Sequence, residues 1–332
     1  MSHGHVTVII PFYQRRSGIL ARALRSVFSQ TGVTGIDVVV VDDESPVSAA
    51  DELADMRDPA ATTVRILRRA NGGPGAARNT ALDALPPDTR YVAFLDSDDE
   101  WHPTHLARAV WALERGYDFY FADLYQLHQT VSAFQRAGRV SWSDHESIGD
   151  DCFAYRGDMV AQILTGNLIA TPTVVYRYAP CARIRFEEDY SHAGEDYLFW
   201  LACASVTRRI VFSSRPEVVC GAGVNVYSGS AWGTDAMLRR VHCELKYRRA
   251  VTRLLPLAPH VATENCRHIT RLRTVFILNL AHRLARRLPV DGRLIRQHAV
   301  LDPLSLVLFG PVLARFAVRA LARRLAGPTA VR

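Results

Sequence analysis

The first 125 residues alternate short β-rich apolar runs with stretches of helical spacing, and this alternation narrows the fold more than any other feature of the chain. Val6 to Ile10, Ile36 to Val41, Thr63 to Leu67, Tyr91 to Leu95 and Phe119 to Tyr125 read as strands. Between them Ile19 to Gln30, a segment from Ser45-Pro46 through Met56, Gly75 to Leu82, and Pro103 to Arg115 read as helices. Leu20, Leu24, Val27 and Phe28 fall on one helical stripe. Ser45-Pro46 has the form of an N-cap followed by a first-turn proline. The run Ile36 to Val41 is apolar but for Asp37, as in a strand covered on both faces. Repeated βα units of this kind predict an α/β fold with a mostly parallel central sheet flanked by helices.

After Gln126 the alternation weakens. Ser141 to Asp151 reads as a polar loop, Val174 to Tyr176 and Ile210 to Phe212 as strands, and Glu195 to Ala204 as a helix between them. From Gly233 onward the pattern is helical and rich in arginine, so we expect a first domain over 1–235 and a helical region over 236–332. The chain has 332 residues, 48% hydrophobic and 22% charged, which excludes a disordered protein. Six scattered cysteines without a CxxC pair argue against a disulfide framework or zinc cluster and for reduced thiols in a cytoplasm. Val6 to Pro11 is too short for the apolar core of a secretory signal. The net charge of +7 is unevenly spread: Arg239 to Arg332 carries 19 Lys+Arg against four acids, while the rest is net acidic. A basic C-terminal third predicts attraction to an anionic surface, membrane or nucleic acid.

Four clusters sit where the strands of such a sheet end, the edge at which α/β sheets bind ligands. They are Pro11-Phe-Tyr13, Val41-Asp-Asp-Glu-Ser45, Asn71-Gly-Gly-Pro-Gly75 leading to Arg78-Asn79, and Leu95-Asp-Ser-Asp-Asp99. In the last, Asp96, Asp98 and Asp99 crowd into four positions. Such crowding asks for an intervening cation, and a hard ion carrying substrate phosphates, Mg2+ or Mn2+, fits oxygen ligands. An acidic turn solvating a strand end is the other reading of the same residues. Together the clusters offer an aromatic face, carboxylates, a glycine-rich turn, an arginine and a metal site, the requirements of a nucleotide diphosphate. Glu195-Asp196 adds two acids at a helix start, where they also favour the helix macrodipole.

In order along the chain, IPFY, the helix Leu20 to Gln30, VVVVDDES, NGGPGAARN, LDSDDEW and Gly194-Glu-Asp-Tyr197 resemble the family 2 inverting glycosyltransferases of the GT-A fold, over roughly 5–235. IPFYQRRSGIL and GAGVNVYSG are most similar to bacterial glucosyltransferases that build succinoglycan-type exopolysaccharides on a lipid carrier. The resemblance implies a nucleotide half over about 1–125 and an acceptor half over about 126–235. It places a UDP-sugar near Pro11, Tyr13, Asp43, Arg78 and Asp96. Tyr13 would stack on uracil and Asp43 accept its N–H, against the plainer readings of edge packing for Tyr13, a helix-entry carboxylate for Asp43 and a surface helix residue for Arg78.

The resemblance further makes Asp98, with Asp96 and Asp99, the holder of Mn2+ or Mg2+, and Asp196 the base that takes the acceptor proton. Glu195, Tyr227 and Ser228 would line an acceptor or phosphate loop, although GAGVNVYSG also reads as a hairpin turn. The QxxRW motif and membrane-spanning helices of processive relatives are missing, which implies a single-addition enzyme; the similarity to the exopolysaccharide glucosyltransferases implies glucose as the sugar and a lipid-linked saccharide as the acceptor.

Pro303 to Leu313 is the longest strongly apolar stretch and is too short to span a bilayer. Arg315, Arg319 and Arg323 follow at i, i+4 and i+8, so the tail reads either as an interfacial amphipathic segment at the inner face of the cytoplasmic membrane or as a packed terminal helix. Two other function classes share parts of this pattern: a nucleotidyltransferase, which normally opens with a glycine-rich basic loop absent near Pro11, and a non-enzymatic basic membrane or nucleic-acid binder. With no nucleic-acid motif in the chain, a nucleic-acid partner is not expected.

Overall fold

The computed structural model describes residues 4–33, 35–54, 56, 62–138, 140–190, 193–224 and 229–325. The chain forms two compact units, one of residues 1–191 with 195–225, the other of 192–194 with 226–332.

The first unit is built on a ten-stranded sheet: β1 (His5–Phe12), β2 (Gly35–Asp42), β3 (Thr62–Arg68), β4 (Tyr91–Phe94), β5 (Glu100–Trp101), β6 (Phe119–Tyr125), β7 (Glu146–Gly149), β8 (Cys152–Ala154), β9 (Val175–Arg177) and β10 (Ile210–Val219). Helices α1 (Ile19–Phe28), α2 (Ala49–Leu53), α3 (Pro74–Asp83), α4 (His105–Glu114), α5 (Ala133–Ala137), α6 (Met159–Gly166), α7 (Tyr178–Cys181) and α8 (Glu195–Val206) connect the strands. The order is β3-β2-β1-β4-β9-β6-β10-β8-β7, with β5 on the end of β10. Strands β3, β2, β1 and β4 run parallel, as do β6 and β10; β9 lies antiparallel between β4 and β6. The sheet is therefore parallel in its N-terminal part and mixed beyond. Because β9 reverses twice, the carboxyl ends of β1, β2, β4, β6 and β10 all reach one edge.

Three local expectations need correction. The helix after β2 starts at Ala49 and not after Ser45, and its N-cap is Ser48. The Asp42 carboxylate takes the N–H groups of both Ser45 and Ala49, which wraps 43–48 as a loop, while the Ser45 hydroxyl bridges the backbone of Gln14. Ser141 to Asp151 is not a plain loop: it holds a 3-10 turn and β7, which pairs with β8 and extends the sheet beyond β10. Their side chains, Phe153 and Trp142, cover Phe212, a packing that composition does not reveal. Strand β10 also runs seven residues past Phe212, through a bulge at Pro216, which accommodates a residue with no N–H to donate.

The core between sheet and helices is apolar, with Val6, Val8, Ile10, Leu20, Leu24, Tyr91 and Leu106 fully buried. Inside it sits one charged knot. Glu217 of β10 accepts hydrogen bonds from His105 Nδ1 (2.8 Å), Arg108 Nε (2.6 Å) and the Tyr120 hydroxyl (2.8 Å). Burial raises the Glu217 pKa, but the hydrogen bond and charge of His105, with Ser213 and Tyr120, carry it below the usual value. The knot ties α4 and β6 to β10 just before that strand reaches the carboxyl edge of the sheet.

The second unit is helical: α9 (Asp235–Leu254), α10 (Pro259–Ala285), α11 (Gly292–Leu301), α12 (Leu304–Val307) and α13 (Phe309–Leu325). Its small apolar core, Leu238, Val241, Leu245, Leu272, Phe276 and Leu294, is supplemented by buried arginines. The apolar stretch from Pro303 is divided between α12 and the start of α13. Among the described residues no helix is long and apolar enough to cross a membrane.

Removing one partner of the Glu217 knot strands a buried charge. Arg108→Met should cost roughly 3–5 kcal/mol in urea melts, and the double variant R108M/E217M should recover part of that loss. Because the Glu217 pKa is depressed in the fold, its stabilisation is full above the ordinary carboxylate range and is lost as pH falls through the folded value.

Candidate active site

The edge where β1, β2 and β4 end gathers the predicted residues of the first unit. Pro11 is buried in β1, opposite Val41 and beyond the end of the β1–β4 pairing, and Tyr13 follows half-buried. Its neighbour Gln14 was not singled out in the sequence, yet it links three segments. Buried to 3% exposure, it donates from its amide to Ser97 Oγ (3.1 Å) and accepts at Oε1 from Val224 N (3.1 Å).

Asp43 is also buried, and it does not cap the following helix. Its carboxylate accepts the N–H groups of Gly72 and Gly73 and pairs with Arg69 at 3.1 Å. Burial raises its pKa, while those amides and Arg69 pull it down. Asp43 thereby holds the glycine turn in shape, with Gly73 at φ +87° and Pro74 in the first turn of α3. Between them, Glu44 is a non-glycine residue in the left-handed region (φ 57°), and its carboxylate accepts from Asn71 N. This costly backbone conformation is held in place by the Asn71 contact.

Arg78 is no surface residue. Its side chain is 4% exposed, donates from Nη2 to Asp96 Oδ1 at 2.6 Å, and lies over the Phe186 ring at 5.2 Å. Among the described residues its Nε and Nη1 find no hydrogen-bond acceptor. A buried guanidinium with open donors is poised to receive acceptor oxygens. Phe186 in turn stacks on Phe199 of α8 (4.0 Å between ring centres, 9° between planes), which fixes the floor under Arg78.

The acidic loop behaves as crowded carboxylates must. Burial, then Asp96, raise the Asp98 pKa to about 6; burial, with Asp96 and Asp98, raises Asp99 well above the usual range. What offsets this comes from the far end of β10. Gly221 N donates to Asp99 Oδ1 (2.9 Å) and Gly223 N to Asp98 Oδ2 (2.8 Å). Only glycine fits there: a Cβ on Gly221 would stand 1.6 Å from the Asp98 carbonyl oxygen, and one on Gly223 2.6 Å from the Asp98 side chain. The short pairing of Glu100-Trp101 with Val218-Val219 holds the two segments in register.

The carboxylates of Asp96, Asp98 and Asp99 are of the type that suits a divalent cation such as Mg2+ or Mn2+, which takes one or two carboxylates and completes its shell with phosphate and water. Among the described residues no group of three or more His, Cys, Asp or Glu side chains is placed to hold a metal ion.

Glu195 and Asp196 open α8 beside the same cluster. Gly75 brings the α3 backbone against Phe186 and Glu195, where a Cβ would lie 3.3 and 3.4 Å from their side chains. Burial and the adjacent Asp196 push Glu195 up to about 8, with Arg78 opposing. Burial raises Asp196 too, against the Tyr197 N–H that its Oδ1 accepts (2.8 Å) and against Arg78. The fold thus gathers Arg78, Asp96, Glu195 and Asp196 into one electrostatic cluster and sets Asp98, Asp99 and Gln14 beside it. Tyr227 and Ser228 lie outside the described residues. Gln14, Phe186 and Arg69 carry no local signal, since what they do depends on partners as far as 210 residues away; the two glycines of the β10 tail lie in the GAGVNVYSG segment, but their contacts to Asp98 and Asp99 are not legible in it.

Residues 7–171 match the family model "Glycosyl transferase family 2". The chain is 36% identical over 228 residues to the succinoglycan biosynthesis protein ExoW of Rhizobium meliloti (strain 1021), a match spanning 67% of this chain and 70% of that one. It is 32% identical over 109 residues to the UDP-Glc:alpha-D-GlcNAc-diphosphoundecaprenol beta-1,3-glucosyltransferase WfaP of Escherichia coli, across 33% of this chain and 41% of that protein. A mannosyltransferase of Pyrobaculum calidifontis, PcManGT, solved in complex with GDP-Man and Mn2+, superposes with a TM-score of 0.55 at 17% identity, covering 96% of this chain and 84% of that one. That likeness bears on the fold alone and agrees with the expected GT-A architecture. With motifs, sheet and a relative matched over more than two thirds of its length all in accord, the chain belongs to glycosyl transferase family 2.

Proposed function

We propose that this protein is an inverting, single-addition glycosyltransferase that moves glucose from UDP-glucose onto a lipid-linked saccharide, in assembly of a bacterial exopolysaccharide or cell-surface glycan. The observation that carries the reading is Arg78: a buried cation with open donors, set between the acid that closes β4 and the acid pair that opens α8. The similarity to a succinoglycan biosynthesis protein and to a UDP-glucose-dependent enzyme acting on a diphosphoundecaprenol acceptor supports the donor and acceptor classes.

In this reading residues 1–125 hold the donor and 126–235 the acceptor. Pro11 and Tyr13 form the wall for the uracil ring, and Asp43 shapes the glycine turn while accepting from the base. Arg78 and Asp96 face the ribose and diphosphate. Asp98, with Asp96 and Asp99, holds Mn2+ or Mg2+, which when bound supplies positive charge to the departing diphosphate.

Asp196 accepts the proton of the acceptor hydroxyl. The freed oxygen forms its bond to the anomeric carbon from the face opposite the nucleotide, the bond from that carbon to phosphate oxygen breaks with its electron pair leaving on UDP, and configuration inverts. Burial raises the Asp196 pKa toward working pH, which suits a base. Glu195, Tyr227 and Ser228 belong to the acceptor side. The basic C-terminal region holds the protein at the cytoplasmic face of the membrane, where a lipid-linked acceptor resides.

Three outcomes test this. Asp196→Asn should keep near-normal UDP affinity by calorimetry and lose at least ~100-fold in transfer, with NMR of the wild-type product showing inverted anomeric configuration. Retained configuration or a fully active variant removes Asp196 as base. Wild-type turnover should fall as pH drops through the raised Asp196 pKa, so the acid limb of the kcat profile lies above the ordinary aspartate range. UDP should bind more weakly in EDTA than in Mn2+ or Mg2+, and Asp98→Asn should narrow that difference more than Asp43→Asn. Equal UDP affinity with and without metal rules out the cation.

A further inference from the structure

The corner joining α11 to α13 is built inside out. His298, Asp302 and Ser305 are buried at 2%, 0% and 4% exposure, whereas Val300, Leu304, Leu306 and Val307 are exposed at 83%, 48%, 60% and 69%. The polar residues face inward because they are fully engaged. Asp302 accepts from Arg273 Nε (2.6 Å) and Nη2 (2.8 Å), from Arg249 Nη2 (2.6 Å) and from Ser305 Oγ (2.7 Å). His298 stacks on Phe276 at 3.4 Å between ring centres and shares a hydrogen bond with Ser305. The anchor is buried and hydrogen-bonded, so the outward set of the aliphatic side chains is a property of the fold and not of a frayed end.

Four aliphatic side chains within eight residues, held out to solvent by a buried polar anchor, mark a surface that meets an apolar partner. The surrounding charge says which. From Gly292 to Arg332 the only acid is Asp302, and it is sealed between two arginines. The charges this segment exposes around the corner, Arg293, Arg296 and Arg315, are all positive. A second copy of the same surface would bring like charges together. An anionic bilayer offers both what the aliphatics and what the arginines need.

We propose that the corner from Val300 to Val307 inserts into the interface of an anionic membrane, with Arg293, Arg296 and Arg315 against the lipid phosphates. The inference rests on the membrane-surface reading above and deepens it: charge alone would hold the region near the bilayer, whereas this corner enters it.

Flotation of the full chain on phosphatidylglycerol/phosphatidylcholine vesicles, at low salt and again at about 0.5 M NaCl, where screening is short-ranged, separates the two. Wild-type protein should retain a salt-resistant bound fraction. The variant L304S/L306S/V307S, with an unchanged melting temperature, should lose at least about tenfold of it, since removing even one buried aliphatic side chain is worth that much. Val307→Trp should show a blue-shifted tryptophan emission on these vesicles and not on pure phosphatidylcholine. If the triple variant binds like wild type and salt releases both completely, the insertion is wrong while the charge-driven membrane reading stands. Absence of vesicle binding at low salt overturns both. A wild-type dimer that the triple variant makes monomeric assigns the corner to a second copy and overturns the proposal.

Discussion

Three carboxylates within four positions at the end of β4 set the problem that the rest of the first unit solves. Left alone, Asp96, Asp98 and Asp99 would repel one another, and burial makes the repulsion worse by removing water. The chain answers with one guanidinium and two amides. Arg78 reaches Asp96 from α3, and the backbone of Gly221 and Gly223 reaches Asp99 and Asp98 from the end of β10. Neither answer fully neutralises the loop, so it keeps capacity for further positive charge.

That arrangement depends on where β10 ends. The strand is tied to α4 and β6 by the buried Glu217, His105 and Arg108, and its tail is aligned by the two-residue pairing with β5. A buried ionic knot is weak evidence for stability in general, because desolvation opposes the attraction. Here its value is positional: it sets the tail that supplies the amides to the acidic loop. Gln14 closes the same arrangement from β1 by joining Ser97 to Val224. A loop of acids, a glycine tail and a strand end are thus held as one body.

The helical unit shows how misleading a count of charges is. Several of its arginines, which in sequence read as a basic surface, are internal struts: Arg248 binds Asn265, Arg283 binds the Gly233 carbonyl, and Arg249 with Arg273 clamps Asp302. The exposed basic surface is accordingly smaller than the composition implies. Part of it, Arg293, Arg296 and Arg315, lies beside aliphatic side chains turned outward.

Much of the fold was legible in the chain because strands and helices announce themselves locally. Val6 to Ile10, Ile36 to Val41 and Phe119 to Tyr125 are strands, and Pro74 to Asp83 is a helix, because period and apolar runs are properties of neighbouring residues. The acidic, glycine and Glu-Asp motifs stood out for the same reason: each is a short run of unusual chemistry. Hidden were the parts whose meaning needs a distant partner. Ser45 looked like a helix cap until Asp42 took the N–H groups around it, and Arg78 looked as much a surface residue as a site residue until Phe186 and Asp96 enclosed it. Composition and motif order determined the family and the chemistry of the candidate groups. Which carboxylate is desolvated, which arginine is buried, and that the aliphatics of Val300 to Val307 face outward were decided only in three dimensions, because burial and charge pairing are set by residues far apart in the chain.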